Sequence, residues 1–333
     1  MDEPATLVTL ADIRAAAERL DGIALRTPLL PFTTPDGREL LLKPESLQAI
    51  GAFKIRGAYN AIAQLDDATR SRGVVAASSG NHAQGVARAA RLLGVPATVY
   101  MPMDAPAVKR ERVLADGARI IDWDPADAVF IQDHARSFAA EHGVTLIHSY
   151  DNDDVIAGQG TAGLEVAEAL DSVAAMLVPV GGGGLIGGIA TALRALHPNA
   201  RIVGAEPALA GDAQESFRAG QLIAWPRERS RRTIADGTRT NLAPRTFAHI
   251  RRLVDDIITV GEDEIAAAVR LLAERTRLVV EPSGALAVAV ATFRAREAGL
   301  TAIDGPVVAL VSGGNVDPDR FRSYLAAPIP ARR

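Results

Sequence analysis

The stretch VVAASSGNHAQGVARAARLLGVPATVYM, residues 74–101, decides the fold class. Val74 to Ala77 is a short apolar run ending in small polar residues, the mark of a buried strand. Asn81 to Leu93 reads as a helix stopped by Gly94, and Ala97 to Met101 as a second strand. A strand, a helix and a strand in so short a span form a βαβ unit, whose strands lie parallel.

The same alternation runs outward in both directions. Upstream, Thr9 and Asp12 suggest a capping box for a helix reaching Leu20, closed by Gly22; strand candidates follow at Thr27 to Phe32 and Leu40 to Lys43, and a helix at Arg56 to Leu65. Downstream, Pro106 starts a helix that Gly117 stops, followed by a strand at Arg119 to Asp122, a helix at Asp127 to His142 and a strand at Thr145 to Ile147. Helices at Gly160 to Leu170 and Leu185 to Leu196 then alternate with strands at Ala175 to Val180 and Arg201 to Ala205. Beyond an irregular patch, Gly211 to Pro244, come a strand at Asp256 to Val260, helices at Asp263 to Thr276 and Pro282 to Ala295, a strand at Val307 to Val311 and a short tail. The pattern predicts an α/β protein of two domains, each an open, mostly parallel twisted sheet flanked by helices. Seams near Gly51 and Tyr150 divide it into a large domain (1–50 and 150–333) and a small domain (51–149).

Composition narrows the function. The 333 residues exceed the roughly 150 of a typical single domain, and 48% hydrophobic with 23% charged residues is ordinary for a globular chain. A net charge of -4 gives no support for a nucleic-acid partner, and the one basic run, Arg227 to Arg232, carries an acid. With no cysteine, thiol catalysis and zinc ribbons are excluded. The first residues lack a signal peptide's basic start, and no apolar stretch approaches the roughly 18 residues of a membrane helix. A cytoplasmic enzyme with a small-molecule substrate is expected.

Four segments carry the chemistry. Lys54 stands between Gly51 and Gly57, where a strand-like run gives way to a helix. Ser78-Ser79-Gly80-Asn81-His82 ends a strand and opens a helix, a place where N–H groups and hydroxyls hold a carboxylate. Gly181 to Gly184 lie between a strand and a helix and form a phosphate cup. Ser312-Gly313-Gly314-Asn315 follows the last strand, and Ser312 can offer a neutral hydroxyl to a ring nitrogen. Gly182, Gly184 and Gly187 also fit a dinucleotide fingerprint with Glu206 as the ribose acid, so a nicotinamide dehydrogenase is the rival from another class. That rival leaves the other three segments without work.

In order along the chain, Lys43 to Ala58, SSGNHAQG, VIAGQGTAGLE, GGGGLIGG, GAEP, TIADG, EPSGA and SGGNVD resemble the fold type II (tryptophan synthase beta-like) pyridoxal-phosphate enzymes of the threonine/serine dehydratase and serine racemase family. The likeness spans Leu25 to Asp317. It implies that pyridoxal 5'-phosphate lies in the cleft between the domains, with Lys54 as the lysine that binds it covalently and Phe53 against its ring. Asn81 matches the partner of the ring hydroxyl, Gly181, Gly182, Gly183 and Gly184 the phosphate cup, and Ser312 the partner of the pyridine nitrogen. Ser78, Ser79, Asn81 and His82 match the loop that takes the substrate carboxylate.

The resemblance further implies an ammonia-lyase that converts L-threonine or L-serine to a 2-oxo acid and ammonia, working as a homodimer. Two positions qualify it. Ala52 stands where the family commonly has Ser or Thr. Ser79 stands where many dehydratases have Ala and the racemases have a serine acting as acid and base opposite the lysine. Racemisation of serine or aspartate, or dehydration of a 3-hydroxyaspartate, is therefore the alternative. Glu206, Asp212 and the carbonyl of Ala210 resemble the racemases' divalent-metal site, whose hard oxygens suit Mg²⁺, Ca²⁺ or Mn²⁺.

Overall fold

The computed structural model describes residues 7–105 and 107–330; Pro106, expected to start a helix, lies outside them. The strands are β1 (Leu30–Thr33), β2 (Glu39–Pro44), β3 (Val74–Ala77), β4 (Ala97–Pro102), β5 (Arg119–Trp123), β6 (Thr145–Leu146), β7 (Ala175–Pro179), β8 (Arg201–Pro207), β9 (Asp256–Val260) and β10 (Val307–Val311). Six form one sheet in the order β1-β2-β10-β7-β8-β9, and four form another in the order β5-β4-β3-β6. Among the described residues all strand pairs are parallel except β1 with β2.

Helices cover both faces of the larger sheet, and the two-residue period of its strands divides the core. Ala175 and Leu177 of β7 and Val307, Ala309 and Val311 of β10 point into one cluster with the helices Glu262–Thr276 and Pro282–Phe293. Met176, Val178, Val308 and Leu310 point the other way, to the helices Asp153–Ala169 and Gly184–Leu196. Strands buried on both faces lose polar alternation, so they read as continuous apolar runs. In the smaller sheet Val74 and Ala76 of β3 meet Ile55, Ala58 and Ile62, and Val75 and Ala77 meet Trp123 and Ile131.

Sequence and structure part company where tertiary packing overrides local signals. The helix expected from Gly160 begins two turns earlier, at Asp153, where the Asn152 side chain accepts from Val155 N at 2.9 Å. Gly158 there looks like a helix breaker but serves a crossing: a Cβ on it would lie 2.6 Å from the Arg56 carbonyl oxygen of the helix Lys54–Ala63. The irregular patch contains a helix at Asp212–Ala219 and a short one at Arg227–Ser230. The tail carries a helix, Pro318–Leu325, capped by Asp317. Conversely, the helix expected from Asp127 starts only at Ile131. The capping box is present, with Thr9 N donating to Asp12 at 2.8 Å. Among the described residues no helix is long and apolar enough to cross a membrane.

Gly158→Ala tests the crossing. Because the neighbouring atom is backbone and cannot swing aside, the substitution should destabilise the fold by about 1–3 kcal/mol, read as a lower urea midpoint with unchanged slope. An unchanged midpoint would mean that the crossing has slack.

Candidate active site

Three of the four sequence segments lie at the C-terminal ends of β3, β7 and β10, and the fourth is zipped to the last of them. Phe53 N donates to Ser312 O at 3.1 Å, Ala52 bridges to Gly313, Gly314 N donates to Gly51 O at 2.9 Å, and Asn315 Nδ2 donates to Ile50 O at 2.7 Å. This backbone seam brings Lys54, in the first turn of its helix, to the end of β10. Crevices at strand ends of open α/β sheets are where ligands collect.

Lys54 Nζ donates to Ser149 O at 2.7 Å and stands 5.0 Å from the Phe53 ring centroid. Burial lowers its pKa to about 8. About a tenth of the amine is then neutral at pH 7, against less than a thousandth for an ordinary lysine. The next residue after Ser149, Tyr150, packs on the glycine loop. A Cβ on Gly182 would overlap its ring, and one on Gly184 would lie 2.9 Å from its Cβ. The segment 149–150 thus places lysine and cup side by side.

The cup is built from backbone. Gly183 adopts φ 86, in the left-handed region, and caps the helix Gly184–Leu196 with no side chain, so the first N–H groups of that helix stay available to an anion. Thr238 and Leu242 wall its outer side: a Cβ on Gly181 would sit 2.9 Å from Thr238 Cα, and one on Gly183 2.8 Å from Leu242 Cδ2.

On the other side lies the loop after β3. Ser78 Oγ accepts from Gly80 N at 3.1 Å, and Ser79 is exposed. Asn81 Nδ2 donates to Glu281 Oε1 at 2.5 Å, and its Oδ1 accepts from Asn315 Nδ2 at 2.8 Å. His82 is buried with Nε2 2.8 Å from Ile147 O. A carbonyl only accepts, so Nε2 carries the proton and Nδ1 is an acceptor without a partner among the described residues. Burial, aided by the nearby Lys54 charge, holds His82 neutral by pushing its pKa down to about 3. Ser312 is buried at the head of its loop, its hydroxyl 3.4 Å from Ser283 O.

Three members escaped sequence reasoning. Glu281 is buried against Asn81, and burial with the neighbouring Asp236 raises it to about 7 while Lys109 and Asn81 pull the other way. Its signal was the EPSGA segment. His148, 4.7 Å edge-on from Tyr150, and Tyr150 itself carried no motif of their own.

Glu206 and Asp212 are both buried, next to buried Ala210, and Asp212 is near enough to the cup for its charge to act on Tyr150. Glu206 accepts from Ala213 N at 3.0 Å and Gln214 N at 2.9 Å. Asp212 accepts from Leu242 N at 3.2 Å, and its Oδ1 has no partner among the described residues. Burial, with the neighbouring Asp212 charge, raises Glu206 well above the usual carboxylate range; burial lifts Asp212 to about 7. Among the described residues no group of three or more His, Cys, Asp or Glu could hold a metal, so a cation here would rest on two carboxylates and a carbonyl. Gly187, the third glycine of the dinucleotide pattern, backs onto His249, 3.2 Å from where its Cβ would be.

The family description "pyridoxal-phosphate dependent enzyme" matches residues 20–313. An L-threo-3-hydroxyaspartate ammonia-lyase from a Pseudomonas species is 43% identical over 323 residues, covering 94% of this chain and 97% of its own. Maize serine racemase superposes with a TM-score of 0.89 at 39% identity, over 96% of this chain and 98% of that one. A serine racemase from Dictyostelium discoideum superposes at 0.85 with 38% identity, over 93% and 99%. Coverage this complete removes the nicotinamide reading, and the chain belongs to the fold type II pyridoxal-phosphate dependent enzymes, in the family of threonine/serine dehydratases and serine racemases.

Proposed function

We propose that this protein is an ammonia-lyase for 3-hydroxy amino acids, converting L-threo-3-hydroxyaspartate, ahead of L-threonine and L-serine, to a 2-oxo acid and ammonia. The observation that carries it is the Lys54 amine, drawn out of water and held on the Ser149 carbonyl beside an uncapped glycine cup. The preference for hydroxyaspartate, over the threonine and serine expected from sequence, is supported by the 43% identity to the Pseudomonas ammonia-lyase.

The residues fit pyridoxal phosphate. The cup offers backbone N–H groups to a phosphate, Lys54 a nucleophilic amine, Asn81 an amide for a ring hydroxyl, Phe53 a face, and Ser312 a neutral hydroxyl for a pyridine nitrogen. When bound, the cofactor supplies an electron sink that makes the Cα proton of an amino acid acidic. Lys54 Nζ takes that proton as general base. The hydroxyls of Ser78 and Ser79 and the backbone N–H groups of Asn81 and His82 at the helix start hold the substrate carboxylate. The small domain (51–149) and the large one (1–50, 150–333) meet at this site, in a cytoplasmic homodimer.

A second reading, racemisation of serine, is favoured by Ser79, an exposed hydroxyl at the position where the racemases carry their acid-base serine. The metal belongs to the same proposal. Two adjacent buried carboxylates, one with an unpartnered oxygen, suit a hard cation such as Mg²⁺ held by Glu206, Asp212 and Ala210 O.

Incubation with L-threo-3-hydroxyaspartate, L-threonine, L-serine and D-serine should give 2-oxo acid fastest from hydroxyaspartate. Inverted serine as the main product would replace the lyase reading with the racemase. Ser79→Ala should remove inversion at least tenfold more than elimination. Capture of pyridoxal phosphate by the cofactor-free protein, fixed by borohydride as a label on Lys54, should fall about tenfold per unit as pH drops below about 8, because only the neutral amine attacks. Mg²⁺ at 100 times its dissociation constant should stabilise the protein by about 2.7 kcal/mol, seen as a higher melting temperature that EDTA reverses and Glu206→Gln abolishes.

A further inference from the structure

Arg56, two residues after Lys54, sits in a cluster of four charges, three of them buried, and none belongs to the cofactor or substrate groups. Arg56 and Lys43 are each 1% exposed and Glu45 is 0% exposed, with Glu165 closing the set. Arg56 forks onto Glu45 (Nε to Oε2 2.7 Å, Nη2 to Oε1 2.8 Å) and onto Glu165 (Nη1 to Oε1 2.6 Å, Nη2 to Oε2 3.0 Å). Its last N–H, on Nη1, reaches Thr161 Oγ1 at 3.1 Å, and Leu25 O shares Nη2 at 3.1 Å. Lys43 donates to Glu165 and, at 2.7 Å, to Thr27 O; Thr27 and Gln48 complete the lone pairs of Glu45.

Two cations and two anions balance, yet a balanced buried set is a poor source of stability, because apolar residues of the same volume do as well or better. What such a set supplies is direction. A guanidinium fork fixes angles as well as distances, and this one ties the turn Glu45–Leu47 at the end of β2, whose Lys43 joins the set through Glu165, to the helix Lys54–Ala63 and the helix Asp153–Ala169. The first leads into the loop before Lys54, the second carries Lys54, and the third follows directly on the segment whose Ser149 carbonyl holds the amine. The helices also touch through Gly158 and the Arg56 carbonyl, so little play is left between them.

We propose that Arg56, Glu45, Glu165 and Lys43 position the Lys54 amine, fixing its depth out of water and its distance from Ser149 O. The proposal rests on the assignment of Lys54 as the cofactor lysine. A looser clamp lets the helix shift and water reach Nζ, which returns the amine toward ordinary lysine behaviour. The titratable groups facing Lys54 stay silent over the range that matters: His82 titrates near 3, burial holds His148 below its usual value, and Tyr150 is raised to about 12.

The test follows the borohydride-fixed label on Lys54 against pH in three proteins. The wild type should bend near pH 8. Arg56→Lys keeps the charge and loses the fork, and should move the bend up by about one unit, so that capture at pH 7.5 falls about tenfold while far-UV circular dichroism is unchanged. Should Arg56→Lys fail to fold, the charge-balanced pair Lys43→Met with Glu165→Gln decides, with the same direction expected. A bend that stays near 8 in a folded variant, with only a lower melting temperature, overturns the positioning role and leaves the assignment of Lys54 intact. A wild type that never carries the label on Lys54 overturns both.

Discussion

A primary amine in contact with water at neutral pH is protonated and a poor nucleophile, and the surroundings of Lys54 keep its amine dry. Among the described residues its hydrogen-bond partner is a backbone carbonyl, which cannot ionise and offers no counter-charge. A carboxylate in that place would have raised the affinity for the proton; the peptide oxygen holds the amine in place without doing so. Burial also keeps the two nearby histidines neutral, so neither places a charge beside Lys54.

Dryness requires walls, and the walls come from segments far apart in the chain. The seam between residues 50–53 and 312–315 is made of main-chain hydrogen bonds and one from the Asn315 amide, so it depends on close approach. Small residues make that approach possible. Ala52, where a hydroxyl was expected by analogy, is fully buried in the bridge to Gly313. The glycine loop has the same logic, since Tyr150, Thr238 and Leu242 press where side chains would otherwise stand.

Much of this was legible because it is local. Val74 to Ala77 and Val307 to Val311 announce buried parallel strands by apolar runs of the right length, and Gly94 announces a helix end that the structure keeps at φ 67. The glycine cup and the Ser78–His82 loop were visible because each joins a strand end to a helix start. What stayed hidden depends on distant partners. Gly158 reads as a breaker until the Arg56 carbonyl is seen against it. Glu281 meets Asn81 across 200 residues of chain, and no periodicity links them. Tyr150 carries no spacing signal, as its importance comes from the glycines it covers. The two buried carboxylates Glu206 and Asp212 were singled out by sequence, but their burial and the unpartnered Asp212 oxygen belong to the folded chain alone.

The order of strands in the larger sheet has a consequence for synthesis. β2, made early, pairs on its inner side with β10, so Leu41 waits for Val308. The smaller sheet, from Val74 to Leu146, is continuous in sequence and can close while the ribosome is still at work. The larger one cannot. Until β10 emerges, β2 has only the short β1 beside it, and the apolar edges of β2 and β7 that will flank β10 lie open to other chains. The lysine therefore gains its dry surroundings only once β10 has been made, and nascent chains bear their greatest risk of aggregation just before that moment.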